Sequence, residues 1–376
     1  MFYSNYNPRT TISSKEETNS GVRAREGRRE KTEVGVSVLE MKRIIFTEWV
    51  NSMLRVLGYS ILLPMLTFAL PFSNGTCADD SELPMNRKRI QFKSSMDGTI
   101  QEAILIVPGP TGKVQKPVPL VVSLHSWSAD LTQRNALENL VHRRGWIYLF
   151  PNFRGANRTP QACASPLAQQ DILDSISSVI DDYQVDEARI YLTGTSGGGH
   201  MTMLMAARHP NLWRAASAWV GISDLVKWHA LHRNAKYGNM IEQCCGGVPG
   251  DSVEVDAQYK ARSPITYLAD ARDVAIDICA GLKDGHEGSV PISHSINAFN
   301  MIARARGDQL VTALEISQLS RPGKLEQVKA GDEGFDPAFN RKYFLRRRSG
   351  NARLTIFDGG HEGIATATIA WFESHP

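Results

Sequence analysis

Cysteine is scarce in this chain, five residues in 376, and no two of them stand in a C-x-x-C pair. Paired cysteines at that spacing are what a structural zinc site needs, so no metal is expected. Charge of one sign is also scarce. The net charge is only +3, and no basic stripe interleaves with aromatics. Nucleic acid is therefore excluded as a partner. Long hydrophobic runs are absent too. The longest apolar stretch, Val56 to Leu70, is interrupted by Pro64 and is short for a membrane span. No internal repeat occurs. What remains is ordinary globular composition, 42% hydrophobic and 22% charged, enough for one large domain or two small ones.

The first forty residues lack apolar periodicity and are rich in Arg, Glu and Ser. They read as a disordered extension or an over-extended start, with Met41 or Met53 as the true one. Residues 41–78 carry basic residues, then the apolar run, then small residues ending in Thr76-x-Ala78. That order predicts a secretory signal cleaved near Ala78, hence a secreted or periplasmic protein with no stable membrane span after cleavage. A lipid-attachment reading of Cys77 fails because Asn74 stands where an apolar residue is required. Export permits disulfides, and Cys163 with Cys244 or Cys245 is the plausible pair. Cys279 lies within an apolar strand and is expected as a buried free thiol.

From Asp79 onward, strand and helix patterns alternate. An opening antiparallel pair is expected at 89–92 and 101–107. Strands at 118–124, 146–150, 188–193, 215–220, 274–280 and 353–357 follow, with helical segments between them and a closing helix through Trp371. Several of these strands are near-continuous apolar runs, as strands buried on both faces should be. The alternation predicts an α/β fold with a mostly parallel sheet covered by helices on both faces. Residues 225–267 form a loop-rich lid insertion after a strand's C-terminal end. Residues 307–350 form a second insertion, expected as an extra helix and loop, in which Arg346-Arg347-Arg348 reads as a solvated face.

Gly194-Thr195-Ser196-Gly197-Gly198 is the most informative motif. A short β-branched strand precedes it, and a helix-forming segment ending at Pro210 follows. In that setting G-x-S-x-G predicts a nucleophile elbow, with Ser196 lifted clear of the sheet on a strained turn. A serine nucleophile needs a base, and the base needs an acid to hold its tautomer. His361, in Asp358-Gly359-Gly360-His361-Glu362, follows the last strand, where the base belongs. Its rival is His286, in the similar Asp284-Gly285-His286-Glu287. The acid is expected at Asp284, after strand 274–280, ahead of Asp277 and Glu287. His200 and His125 are expected to be structural. The oxyanion hole needs two backbone N–H groups, one from Gly197 and one from Ser126 or Trp127.

In chain order, His125-Ser126-Trp127, Pro151-Asn152-Phe153-Arg154-Gly155, the Gly194–Gly198 elbow, Arg262-Ser263-Pro264-Ile265, Gly281-x-x-Asp284 with Val290-Pro291, and Gly360-His361-Glu362 resemble the catalytic domain of the prolyl oligopeptidase-like (S9-type) α/β-hydrolases. The likeness covers roughly 100–376. One departure is Ser126, where the family's oxyanion loop carries His-Gly. Another is the long interval from Asp284 to His361. Single-domain secreted members of this group resemble acetylxylan and feruloyl esterases as much as peptidases. The resemblance implies an α/β-hydrolase fold and a serine hydrolase without cofactor. A small-molecule or saccharide ester is the expected substrate, cleaved through an acyl-enzyme. A peptidase acting on short peptides is the alternative, and an inactive binding module a further one. Trp127 and the lid residues Trp228, His229, His232 and Tyr237 are expected either to line the pocket or to form the lid's own small core.

Overall fold

The apolar runs fold into one ten-stranded sheet in a computed structural model that describes residues 86–109, 112, 114–321 and 323–376. The extension 1–40 and the expected signal 41–78 lie outside the described residues. The strands are β1 (Asn86–Lys93), β2 (Ile100–Val107), β3 (Val118–Leu124), β4 (Ile147–Pro151), β5 (Val185–Thr195), β6 (Ala215–Trp219), β7 (Ile276–Gly281), β8 (Gly334–Asp336), β9 (Arg341–Ser349) and β10 (Ala352–Phe357). Their spatial order is β1-β2-β4-β3-β5-β6-β7-β10-β9-β8. Every pairing from β4 through β10 is parallel, and the pairs at both margins are antiparallel.

Alternation along the central strands sends side chains to two cores. Leu120 and Val122 face a larger one, shared with α2 (Pro166–Asp182), α3 (Gly197–Arg208) and α7 (Ser293–Arg306). Val121, Tyr148 and Tyr191 face a smaller one, closed by α1 (Leu137–Arg143) and α9 (Ala365–Glu373). A period of two can serve two cores only when both faces are covered. The buried carboxylate of β7 is compensated. Asp277 of β7 accepts two bonds, at 2.8 and 2.7 Å, from Arg353 of β10, whose guanidinium lies 4.6 Å from the Trp371 ring centre.

Both insertions differ from expectation. The 225–267 segment is mainly helical rather than loop-rich, with α4 (Leu225–His232), α5 (Lys236–Cys245) and α6 (Val253–Arg262). Side chains of Asp224 and Ser252 cap α4 and α6, as such residues do when they satisfy the free N–H groups of a first turn. The 307–350 segment supplies α8 (Ala313–Ser320) but also β8 and β9, which extend the sheet beyond β10. The Arg346–Arg348 run is therefore part of a strand, not a solvated face. Arg346 pairs with Asp336 at 2.8 Å, and Arg347 with Glu315 at 2.9 Å and with Asp332. Only Arg348 points out to solvent. The acidic partners lie 10 to 32 positions away along the chain, so the run reads as unpaired until the chain folds.

Candidate active site

Ser196 ends the turn between β5 and α3 with φ 62° and ψ −115°. Few side-chain-bearing residues adopt that backbone, and it costs on the order of 1–3 kcal/mol unless the surroundings enforce it. Here they do. A Cβ on Gly198 would stand 2.2 Å from the Leu124 carbonyl oxygen, and one on Gly197 2.3 Å from the Trp127 nitrogen. Only glycine lets the helix start so close to the β3 loop. Ser196 is 8% exposed, and its hydroxyl makes no hydrogen bond among the described residues.

β7 and β10 are parallel neighbours, so the loops that leave their C-terminal ends lie side by side. Leu282 N–H donates to the Phe357 carbonyl at 2.8 Å, and Lys283 N–H to the Gly359 carbonyl at 3.0 Å. This seam brings Asp284 and His361 together. His361 Nδ1 donates to Asp284 Oδ2 at 2.8 Å. Asp284 is buried, and its other oxygen accepts the N–H groups of Gly285 and Val290 at 2.9 and 3.0 Å. Three donors satisfy the carboxylate and leave its orientation no freedom. The histidine loop then rests on the elbow: a Cβ on Gly363 would fall 2.4 Å from the Thr195 hydroxyl.

The rival histidines are placed elsewhere. His286 is exposed and bonds the Ser320 carbonyl at 2.6 Å. His200 is buried, donates from Nε2 to the Arg262 carbonyl at 2.8 Å, and is pushed down to about 4 by burial. His125 braces the β3 loop between the carbonyls of Ser126 and Asn152, stacked 3.9 Å from Phe153, and burial lowers its pKa. All three stand outside the Asp284–His361 pair.

The two expected oxyanion alternatives are physically distinct. Ser126 N–H is engaged, donating to Gln133 Oε1 at 2.8 Å, while the Ser126 hydroxyl donates to the Thr195 carbonyl at 3.2 Å. The N–H groups of Trp127 and Gly197 have no hydrogen-bond acceptor among the described residues and lie on facing segments. Gln133 carries no motif signal, because its role arises only once its loop folds back on Ser126. The same holds for Arg341. It bonds Glu362 at 2.6 and 3.0 Å, while Glu362 accepts the Gly360 N–H at 3.2 Å, so the pair braces the histidine loop. That ion pair holds the Glu362 carboxyl below its usual range.

The lid aromatics form a core, and Trp127 does not wall a pocket. Trp127 and Trp228 are 2% and 0% exposed, with ring centres 4.7 Å apart. Trp228 Nε1 and His232 Nε2 both reach the Ser289 carbonyl, at 2.9 and 2.8 Å. His229 Nε2 bonds Glu242 at 2.7 Å, and Tyr237 packs on Trp228 at 5.0 Å. Cys163, Cys244 and Cys245 lie in the same apolar cluster as free thiols, so the expected bridge is not formed. Burial raises the Cys163 thiol and pushes Cys245 up to about 12. Cys279 is a buried free thiol, as its strand context implied. The lid is tied down by Arg262, which donates to the carbonyls of Pro160, Ala162 and Cys163 at 2.9, 2.8 and 3.0 Å.

A strained serine turn between strand and helix, in a mostly parallel sheet with helices on both faces, defines an α/β-hydrolase fold. Residues 134–316 match the model of the prolyl oligopeptidase family. Among curated relatives, acetylxylan esterase A of Emericella nidulans is 43% identical over 51 residues, 14% of this chain and 17% of its own length. The human acylamino-acid-releasing enzyme is 24% identical over 204 residues, 49% of this chain and 26% of its own. The chain thus spans well under half the length of either relative. A solved structure titled a putative dipeptidyl aminopeptidase IV, from Bacteroides ovatus, superposes with a TM-score of 0.53 at 14% identity. It covers 79% of this chain and 37% of that one, and shows the fold.

Proposed function

We propose that this chain is an exported esterase that cleaves a carboxylic ester through an acyl-enzyme. Ser196 attacks the ester carbonyl and His361 Nε2 takes its proton. Asp284 holds the opposite ring nitrogen and stabilises the imidazolium that forms. The N–H groups of Gly197 and Trp127 receive the developing oxyanion, and the N-terminus of α3 adds a favourable field. His361 then protonates the leaving alcohol, and water repeats the sequence on the acyl-enzyme. The Asp284–His361 bond at 2.8 Å, on a loop seated against the elbow, is the observation that carries this reading. In an unliganded site the serine–histidine bond commonly tightens only when substrate arrives. Export rests on the leader pattern of residues 41–78.

The ester preference rests on the local likeness to the E. nidulans esterase. The human acylamino-acid-releasing enzyme matches a longer stretch of the chain and supports a second reading, a peptidase using the same triad. The test is a panel of acetyl, feruloyl and longer-chain esters beside aminoacyl amides. We expect kcat/KM for acetylated or feruloylated saccharides well above that for aminoacyl-proline amides. A preference for the amides overturns the esterase reading. In the Ser196→Ala protein we expect no labelling by an organofluorophosphonate and a kcat loss on the order of 10⁴- to 10⁶-fold, with the thermal midpoint kept. Retained labelling removes Ser196 from the role.

A further inference from the structure

An open cleft of about 580 Å³ is lined in part by the histidine loop. One wall is the second insertion, with Phe335 of β8 and Lys342 of β9; the other is the turn around Asp284, with Lys283 and Glu287. The segment Asp358–Gly360 completes it. Phe335 is 58% exposed, an unusual position for a large aromatic side chain on a strand. Lys283, Lys342, Glu287 and Asp358 make no ion pair among the described residues. Two free ammonium groups and two free carboxylates line the cleft, and the remaining charges, Arg341 and Glu362, neutralise each other. A cleft without net charge gives no preference to an anion or a cation. Donors and acceptors of both kinds around an aromatic face suit a neutral polyhydroxylated ligand, whose hydroxyls bond the charged tips while its C–H face covers the ring.

Position adds the functional link. The cleft wall is the chain that brackets His361, through Gly360 and Glu362, and that precedes Asp284, through Lys283. In acyl transfer the base returns its proton to the departing oxygen, so the leaving alcohol lies on the histidine side of Ser196. We propose that this cleft is a saccharide subsite, holding sugar units of the leaving alcohol beside His361. The proposal rests on the esterase reading for the identity of the leaving group. It assigns to the 307–350 insertion a role in substrate choice.

Two measurements test it separately from that reading. The first is calorimetric binding of unesterified xylotetraose and cellotetraose to the Ser196→Ala protein, with and without Phe335→Ala. We expect at least one of the two to bind and Phe335→Ala to weaken it by about tenfold. The second is hydrolysis of acetylated xylotetraose against 4-nitrophenyl acetate by Phe335→Ala and Lys342→Ala proteins with an intact Ser196. We expect KM for the saccharide ester to rise by about tenfold, with kcat kept and the small ester unaffected. No binding of either tetrasaccharide, binding indifferent to Phe335, or equal losses on both esters would overturn the subsite. Phe335-dependent binding by a protein that prefers aminoacyl amides would uphold the subsite and overturn the esterase reading instead.

Discussion

At the scale of single residues, the site depends on atoms that cannot be moved or added. Gly197 is the clearest case. Its missing Cβ would sit 2.3 Å from the Trp127 nitrogen, between the two N–H groups proposed to receive the oxyanion. Gly197→Ala should therefore part these donors. We expect kcat to fall on the order of 10²- to 10³-fold with KM little changed, measured on a soluble ester beside a thermal melt. A variant of unaltered kcat would remove Gly197 from the hole. The two histidine loops give a second test. His361→Ala should approach the loss seen for Ser196→Ala, because base and nucleophile act as a unit. His286, exposed and bonded only to the Ser320 carbonyl, should be replaceable by Ala with less than about a threefold change in kcat/KM. A reversed order of severity would exchange their roles.

At the scale of elements, the 225–267 insertion is held by a small core that it shares with Trp127, Cys163 and Val290. Trp228 is its centre, packed against Trp127, His232 and Tyr237. Truncating such a side chain removes its transfer energy and leaves a cavity, together about 3–5 kcal/mol. Trp228→Ala should lower the urea midpoint accordingly. It should also loosen the β3 loop, because Trp127 loses its packing partner while its backbone N–H is one of the two proposed oxyanion donors. The observable is a kcat loss larger than that of a lid-surface change such as Leu231→Ala, where the side chain is 53% exposed. Equal effects of the two would separate the lid core from catalysis.

At the scale of the whole molecule, buried histidines make stability depend on pH. His200 and His294 are both pushed down to about 4 by burial, from an ordinary 6.5. The unfolded chain takes up their protons near 6.5, and the folded chain does so only near 4. Their contribution is full above pH 6.5 and declines as the pH falls toward 4, by up to about 1.4 kcal/mol per pH unit for each histidine. We expect the thermal midpoint to drop steadily between pH 6.5 and 4.5. His200→Gln should flatten that slope by a measurable fraction. The lowered carboxylates, Glu315, Asp336 and Glu362 among them, lose their contribution only at lower pH, below their ordinary 4.5 or 3.8. A midpoint flat across the upper window would contradict the buried, neutral state of the two histidines.

The sequence by itself determined eight of the ten strands, all but β8 and β9, and the position of the serine turn. These follow from local rules: continuous apolar runs for strands buried on both faces, and glycines flanking a serine between strand and helix. Residues placed just after strand ends, such as Asp284 and His361, were legible for the same reason. Tertiary structure alone decided what depends on partners distant in the chain. The order β7–β10 brings Asp284 within 2.8 Å of a histidine 77 positions away. Folding of the β3 loop ties up the Ser126 N–H on Gln133 and leaves that of Trp127 free. The lid aromatics and the arginine run were ambiguous for one physical reason. A Trp or an Arg has the same local pattern whether it faces solvent, a ligand or a core. Burial against Trp127, or pairing with Asp336 and Glu315, is set by segments that meet only in the folded chain.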